Sequence, residues 1–296
     1  MLSTSPAFFR HDNRLGSEFV CLKQSGAKLW IKRELLETPT AAMLLDSDSL
    51  FNRSDCRIIK DERKIKVGRV VMDVAGKSTA VFVKRYNAFS WGYRLISMFS
   101  TSGAYCSLRG ASILTQAQIQ TAAPLAAVEW RRWGMVERSI FVSREIESGK
   151  TADAYWLKNL GPITGRDGFV RRREFLKSLA RLFRQLHSKA LYHNDLKDAN
   201  VLVKTAPGGK GSFFLLDLEG VRRCLYVSHG RKIKNLVQLN RTLGKFLSRT
   251  QRLLFLTNYL GALADDRRIL RRWVSRLQRA TTRAEKRSLA KRSREE

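Results

Sequence analysis

The stretch His193-Asn194-Asp195-Leu196-Lys197-Asp198-Ala199-Asn200-Val201-Leu202-Val203 decides how the rest of the chain is read. On its N-terminal side, 169–187 carries Phe175, Leu179, Leu182, Phe183 and Leu186 at helical spacing, with Arg and Lys on the other face. An amphipathic helix is expected there. On its C-terminal side, Val201-Leu202-Val203 has the composition of a strand. A tight loop between helix and strand would point Asp195 and Asn200 into one cleft. A structural turn rarely needs His, Asp and Asn at these offsets. His193 is expected to organise the loop from a buried position rather than act as a base. His187 and His193 lie six apart across a helix end, so they are not expected to form a metal pair.

Two further pieces stand in order around this loop. Phe213-Phe214-Leu215-Leu216-Asp217-Leu218-Glu219-Gly220 is an apolar strand running into Asp217, seventeen residues after Asn200. Val81-Phe82-Val83-Lys84-Arg85-Tyr86 is a strand that carries Lys84. Together the pieces resemble the kinase apparatus, with the loop matching H-x-D-L-x-x-x-x-N and Asp217-Leu218-Glu219 standing where Asp-Phe-Gly is usual. Phosphoryl transfer needs a carboxylate beside the acceptor hydroxyl, which points to Asp195. It also needs oxygen ligands for a metal on the phosphates, which points to Asn200 and Asp217 with Mg²⁺. Lys197 is placed to offset charge on the transferred group, and Lys84 to hold the phosphates of ATP.

The chain has 296 residues, with 56 Lys+Arg against 26 Asp+Glu, a net charge of +30. Its 44% hydrophobic and 9% aromatic content exclude a disordered chain, and the charge implies a polyanionic partner. Cys21, Cys56, Cys106 and Cys224 are far apart with no CxxC pair, so a reducing compartment is expected, with neither structural zinc nor a disulfide framework. No secretory signal is expected from residues 1–10, and the longest apolar stretch, 253–264, is too short to span a bilayer. Residues 1–16 read as irregular. A hairpin is expected around Ser25-Gly26 and strands over 56–59, 65–74 and 80–86. A helix is expected over 104–121, then strands over 126–130 and 139–144. Further helices are expected over 236–247, 252–263 and 267–280. This is an α+β, protein-kinase-like bilobal pattern. It has a β-rich N-lobe over 17–147, a reduced helical C-lobe over 148–280 with an ATP cleft between, and a basic, mobile tail over 281–296.

Val83-Lys84-Arg85-Tyr86-Asn87 resembles the signature of the lipopolysaccharide kinases, the Kdo kinase and WaaP heptose kinase group. Supporting stretches are Pro124-Leu125-Ala126-Ala127-Val128-Glu129, the loop 193–203, Leu236-Val237-Gln238-Leu239-Asn240-Arg241-Thr242-Leu243, and Arg252 to Leu260. The likeness covers roughly 17–265. It implies transfer of the γ-phosphate of ATP to a heptose or Kdo hydroxyl of the lipopolysaccharide inner core, with Asp195 as base or hydroxyl-orienting group. Three departures stand out. No G-x-G-x-x-G covers the phosphates; the hairpin tip offers Asp61-Glu62-Arg63-Lys64. No Glu lies between Lys84 and Glu129, leaving Gln116, Gln118 or Gln120 as stand-ins for the usual acidic partner. Glu219 replaces the glycine of Asp-Phe-Gly, so a switchable activation loop is not expected.

No Ala-Pro-Glu anchor follows Asp217, and the segment 221–234 is short and basic, so a peptide platform is not expected. Arg222, Arg223, Arg231 and Lys232 suit an acceptor glycolipid bearing phosphates and carboxylates, although a solvated basic loop reads the same way. An antibiotic or choline phosphotransferase would grip its cationic acceptor with acidic residues, the opposite polarity. The segment 267–296 has twelve Lys/Arg against three Glu, +9, with Leu270, Trp273 and Leu277 on one helical face. It is expected to meet an anionic membrane, placing the protein at the cytoplasmic face of the inner membrane. Two rival classes are a pseudokinase scaffold and a basic nucleic-acid-binding protein; no specific nucleic-acid motif is present.

Overall fold

Residues 65–87 set the centre of the first half. Apolar and polar side chains alternate on both sides of Ala75-Gly76, and both of these turn residues have positive φ, 54° and 77°. That is the geometry of a tight hairpin. The computed structural model describes residues 10–12, 14–24, 26–36, 38–205 and 211–293. The chain divides into two compact units, Met1–Ile146 and Glu147–Glu296.

Unit 1 is an antiparallel sheet with helices on its faces. Its strands are β1 (Arg10–His11), β2 (Phe19–Gln24), β3 (Ala27–Lys32), β4 (Arg57–Asp61), β5 (Ile65–Val74), β6 (Lys77–Asn87), β7 (Pro124–Arg132) and β8 (Met135–Arg144). They lie in the order β1-β2-β3-β7-β8-β6-β5-β4. Helices α1 (Pro39–Leu45) and α2 (Ser47–Asn52) precede β4, and α3 (Trp91–Ser97) and α4 (Gly103–Gln116) precede β7. Strand alternation splits the core in two. Val70, Met72, Val81, Val83, Ile140 and Val142 pack on one face with Leu44 and Leu50 of α1 and α2. Tyr86, Ala127 and Phe141 pack on the other with Ala104, Tyr105 and Leu108 of α4. Gly103 lets α4 close on the sheet, because a Cβ there would sit 2.7 Å from the Tyr86 ring.

Unit 2 is built on α6 (Gly165–Ser188), entered through β9 (Lys150–Thr151) and α5 (Ala152–Tyr155). After α6 come β10 (Leu191–His193), β11 (Val201–Thr205), β12 (Gly211–Leu215) and β13 (Val221–Arg223). The unit ends with α7 (His229–Arg241), α8 (Arg249–Leu260) and α9 (Arg267–Arg292). The stripe of α6 that includes Phe175, Leu179 and Phe183 is buried, and Phe183 meets Phe255 of α8 edge to face at 5.7 Å. Strands β9 and β12 flank β11, and β10 pairs with β13.

Several boundaries differ from the sequence reading. Helices α1 to α3 were not expected; each is short, and α3 turns its apolar residues outward, so no core-facing periodicity announces it. Helix α4 stops at Gln116, with Gln118 at φ 54°, so Gln118 and Gln120 lie past its end. The helix expected over 236–247 begins at His229, capped by Ser228, and Thr242 (ψ −83°) separates it from a 3-10 turn over Leu243–Phe246. Basic residues read as one loop therefore lie on β13 and α7. Helix α9 continues beyond Ala280 to Arg292, with no Gly or Pro to stop it. Thr281 on it is buried and accepts a hydrogen bond from Asn240 Nδ2. Of the segment 1–16, residues 10 and 11 form β1, while 1–9 and 13 lie outside the described residues, as do Ser25 of the hairpin turn and 294–296 of the tail. Among the described residues, no helix is long and apolar enough to cross a membrane.

Candidate active site

The loop between β10 and β11 is framed by hydrogen bonds on both flanks. Strand β10 pairs with β13 in the register His193 to Val221, and β11 pairs with β12 in the register Val201 to Leu215. Beyond the second ladder, Leu216 N–H donates to Asn200 O at 2.9 Å, which brings the chain just before Asp217 against Asn200. Beyond the first, Asn194 N–H donates to Gly220 O at 3.1 Å. A Cβ on Gly220 would sit 3.0 Å from Asn194 Cβ, so glycine permits this approach.

His193 joins the same two segments from inside. It is fully buried, and its Nδ1 accepts from Asp195 N–H at 3.2 Å. Nδ1 therefore carries no proton, and Nε2–H is the donor to Leu216 O at 2.8 Å. Burial holds the ring's pKa below its usual value, so it stays a neutral tie. Asp217 follows in the left-handed region (φ 53°, ψ 56°) at the start of a 3-10 turn over Leu218–Gly220, and its side chain is exposed. A left-handed non-glycine at a candidate site is strain held by its frame.

Asp195, Lys197 and Asn200 come together as one constellation. Lys197 Nζ lies 2.8 Å from Asp195 Oδ2. Asn200 Nδ2 donates to Asp195 O at 2.7 Å and to Oδ2 at 3.3 Å. With the amide nitrogen so committed, Oδ1 is the atom Asn200 offers to a cation. Asp198, two residues before Asn200, is buried; burial raises its pKa, and it accepts from Ala199 N–H at 2.8 Å.

Residues of α7 with no assigned role in the sequence reading complete the site. Gln238 Nε2 donates to Asn194 O at 2.9 Å and to Asp195 Oδ1 at 3.3 Å, while its Oε1 accepts from Leu196 N–H at 3.1 Å. Asn235, wholly buried, donates to His193 O at 2.7 Å and to Gln238 Oε1 at 3.0 Å. Its Oδ1 accepts from His187 Nε2 at 3.1 Å, and His187 Nδ1 then accepts from the Tyr259 hydroxyl at 2.8 Å. Burial lowers the His187 pKa to about 4. The chain Tyr259–His187–Asn235–Gln238–Asp195 ties α8, α6 and α7 to the loop. The sequence signals for it were the stretches Leu236 to Leu243, where Gln238 sits, and Arg252 to Leu260, where Tyr259 sits; neither gave these residues a role.

The remaining candidates lie elsewhere. Lys84 is in unit 1 on β6, directly opposite Phe141 of β8, half-buried on the face that α4 covers. Its Nζ stands 4.9 Å from the Tyr86 ring centroid. Its neighbours in Val83-Lys84-Arg85-Tyr86-Asn87 are structural: Arg85 pairs with Asp48 of α2 and donates to Asn87 Oδ1 at 2.7 Å, and the Tyr86 hydroxyl meets Ser107 Oγ at 2.7 Å. In unit 2, Arg222 and Arg223 lie on β13 and Arg231 and Lys232 on α7. Arg222 donates to Glu219 O and Val221 O, and Arg231 donates to Cys224 Sγ and covers the Tyr192 ring. A pocket of about 790 Å³ in unit 2 is lined by residues of α5, α6 and β12 and contains none of the candidate residues. The loop chemistry, not this pocket, marks the site.

Residues 68–259 match the profile described as the lipopolysaccharide kinase (Kdo/WaaP) family. Among solved structures, "WaaP in complex with acyl carrier protein" superposes with a TM-score of 0.60 at 17% identity, over 84% of this chain and 97% of that one. That likeness is one of fold. No curated protein matches the chain by sequence.

Proposed function

Because the chain belongs to the lipopolysaccharide kinase (Kdo/WaaP) family, phosphotransferases acting on sugar hydroxyls, we propose that it moves the γ-phosphoryl group of ATP to a heptose or Kdo hydroxyl of the lipopolysaccharide inner core. The observation that carries this reading is the Asp195–Lys197–Asn200 constellation, braced by Gln238.

In this reading Asp195 orients the acceptor hydroxyl and takes its proton as the sugar oxygen bonds to phosphorus. The bond from the γ-phosphorus to the ADP oxygen breaks, and the electron pair leaves with ADP. Lys197 holds one carboxylate oxygen of Asp195 and would share charge with the transferred group. Asn200 Oδ1 and the Asp217 carboxylate are hard oxygen donors of the kind Mg²⁺ takes, so these residues fit that ion. Bound Mg²⁺ would neutralise phosphate charge. Lys84 would hold the ATP phosphates, and Arg222, Arg223, Arg231 and Lys232 the anionic groups of the glycolipid. The basic faces of α9 would rest on anionic headgroups at the cytoplasmic side of the inner membrane.

The test is transfer of label from γ-labelled ATP to purified lipopolysaccharide lacking core phosphate, with Asp195→Ala as control. Label on the glycolipid that disappears in the variant supports the reading. No label on the glycolipid, with Mg·ATP bound, overturns the acceptor assignment and favours a scaffold.

A further inference from the structure

Unit 1 carries an apolar surface that the phosphotransfer reading leaves unused. Trp91, Leu95, Ile96, Met98 and Phe99, on and just after α3, stand in solvent, as does Trp133 in the turn between β7 and β8. Trp91 is 70% exposed, Phe99 93% and Trp133 75%, and such side chains grouped on adjoining elements mark an interaction surface.

The two elements form one platform. Arg131 Nη1 donates to Ser97 O at 3.0 Å and to Gly134 O at 2.8 Å, and its Nη2 donates to Ser100 O at 2.9 Å. Val136 N–H donates to the buried Ser97 hydroxyl at 2.8 Å. Met98 Cε lies 3.8 Å from where a Gly134 Cβ would be. The inward side of α3 is thus fixed by Ser97, and the apolar side chains face outward by construction.

The charge the two elements expose is arginine; the acidic side chain nearest in sequence, Glu129, is buried and pairs with Arg131 Nε at 3.1 Å. Arg94 covers Trp91 at 5.6 Å, and Arg132 covers Trp133 at 4.6 Å. Every charged side chain on 91–99 and 131–134 is an arginine, and the sequence from 74 to 128 holds no Asp or Glu. A second copy would bring the same arginines face to face, from a chain of net charge +30. Tryptophan beside arginine instead matches the headgroup boundary of a bilayer: the ring body enters the acyl region while the guanidinium meets lipid phosphate.

We propose that α3 and the β7–β8 turn form a lipid-inserting platform that seats unit 1 in an anionic phospholipid surface, a contact additional to the basic faces of α9. The proposal does not rest on the kinase reading, since its test needs neither ATP nor acceptor.

The test uses the full chain with vesicles of phosphatidylcholine and phosphatidylglycerol, some carrying brominated acyl chains. Tryptophan fluorescence of the wild type is expected to be quenched by brominated lipid, and Trp133→Phe is expected to lose part of that quenching while still binding. Phe99→Ser with Trp133→Ser is expected to weaken partitioning by at least about tenfold. Both side chains are exposed, so the melting temperature should hold. If the double variant nevertheless unfolds, the quenching comparison between wild type and Trp133→Phe decides alone. Unquenched wild type at saturating vesicles, or equal partitioning by a folded double variant, overturns the proposal. So does a wild-type dimer that the double variant abolishes, which would assign the patch to a second copy.

Discussion

The Nε2–H of His193 donates to the carbonyl oxygen of Leu216 at 2.8 Å, while the opposite ring nitrogen accepts from Asp195 N–H. One neutral ring therefore sets the distance between the segment bearing Asp195 and the segment leading to Asp217. His193→Leu keeps the bulk and removes both partners, leaving a part-buried donor and a part-buried acceptor without their hydrogen bond. Each costs about 1–3 kcal/mol. Urea denaturation should show the loss in stability, and kcat should fall further than fraction folded explains. A variant with unchanged kcat would mean the tie does not position Asp195.

Gln238 presents its amide nitrogen to Asp195 Oδ1 and its amide oxygen to Leu196 N–H. Gln238→Glu keeps the second contact and replaces the first with a carboxylate oxygen. A like charge there disfavours ionised Asp195, so the acidic limb of the pH–kcat profile should move upward. Gln238→Ala should lower kcat by about ten- to a hundredfold with little change in the KM for ATP. A profile that stays in place for Gln238→Glu would remove Gln238 from the positioning of Asp195.

His187 and His193 are both held neutral by burial, His187 with a pKa of about 4. In the unfolded chain both return to about 6.5 and bind protons there first. Acid therefore favours unfolding. The stability is complete above about pH 6.5 and is lost progressively as pH falls, for His187 down to its folded value near 4. Urea midpoints measured between pH 7.5 and 5 should fall with pH, and His187→Gln should flatten that slope. A wild-type midpoint flat over this range would contradict the buried neutral pair.

The loop from His193 to Val203 was legible because its spacing is local: helix, tight loop and strand follow one another, and Asp195 and Asn200 meet without help from distant sequence. Lys84 was legible as a strand residue for the same reason. Asn235 and Gln238 were not, because their role exists only once α7 packs across β10, far along the chain. The basic run from Arg222 to Lys234 was misplaced as a loop because a helix start at Ser228 is signalled by one cap, and in the first turns only Ile233 precedes the apolar pair Leu236-Val237. Helix α3 was missed for the opposite reason: its apolar residues serve the surface, so the usual inward stripe is absent.

Asp217 sits at φ 53°, where Asn is tolerated and β-branched residues are not. Asp217→Asn should keep the melting temperature and remove Mg²⁺-dependent transfer. Asp217→Val should add a loss of about 1–2 kcal/mol in stability. Isothermal titration of Mg·ATP separates the two effects, since the Asn variant is folded and the loss is in the ligand. Wild-type turnover by Asp217→Asn would take Asp217 out of the metal assignment.

Substitution can separate the docking of helix α9 from its proposed contact with anionic lipid. Trp273 is half-buried, 4.3 Å from the His229 ring and 6.0 Å from the Tyr259 ring by centroid, and Arg276 reaches His229 Nε2 at 2.9 Å. Trp273→Ala should therefore lower stability by roughly 1–3 kcal/mol, less than for a fully buried tryptophan. Arg279, Arg283, Lys286 and Arg287 are exposed. Changing all four to Gln should leave the melting temperature unchanged and weaken binding to anionic vesicles by about 1 kcal/mol per charge, with a shallower salt dependence. If α3 and the β7–β8 turn insert independently, this loss should add to that of the Phe99 and Trp133 substitutions. Vesicle binding untouched by the four Gln substitutions, at low and high salt alike, would leave α9 as a docked helix whose charge is only solvated.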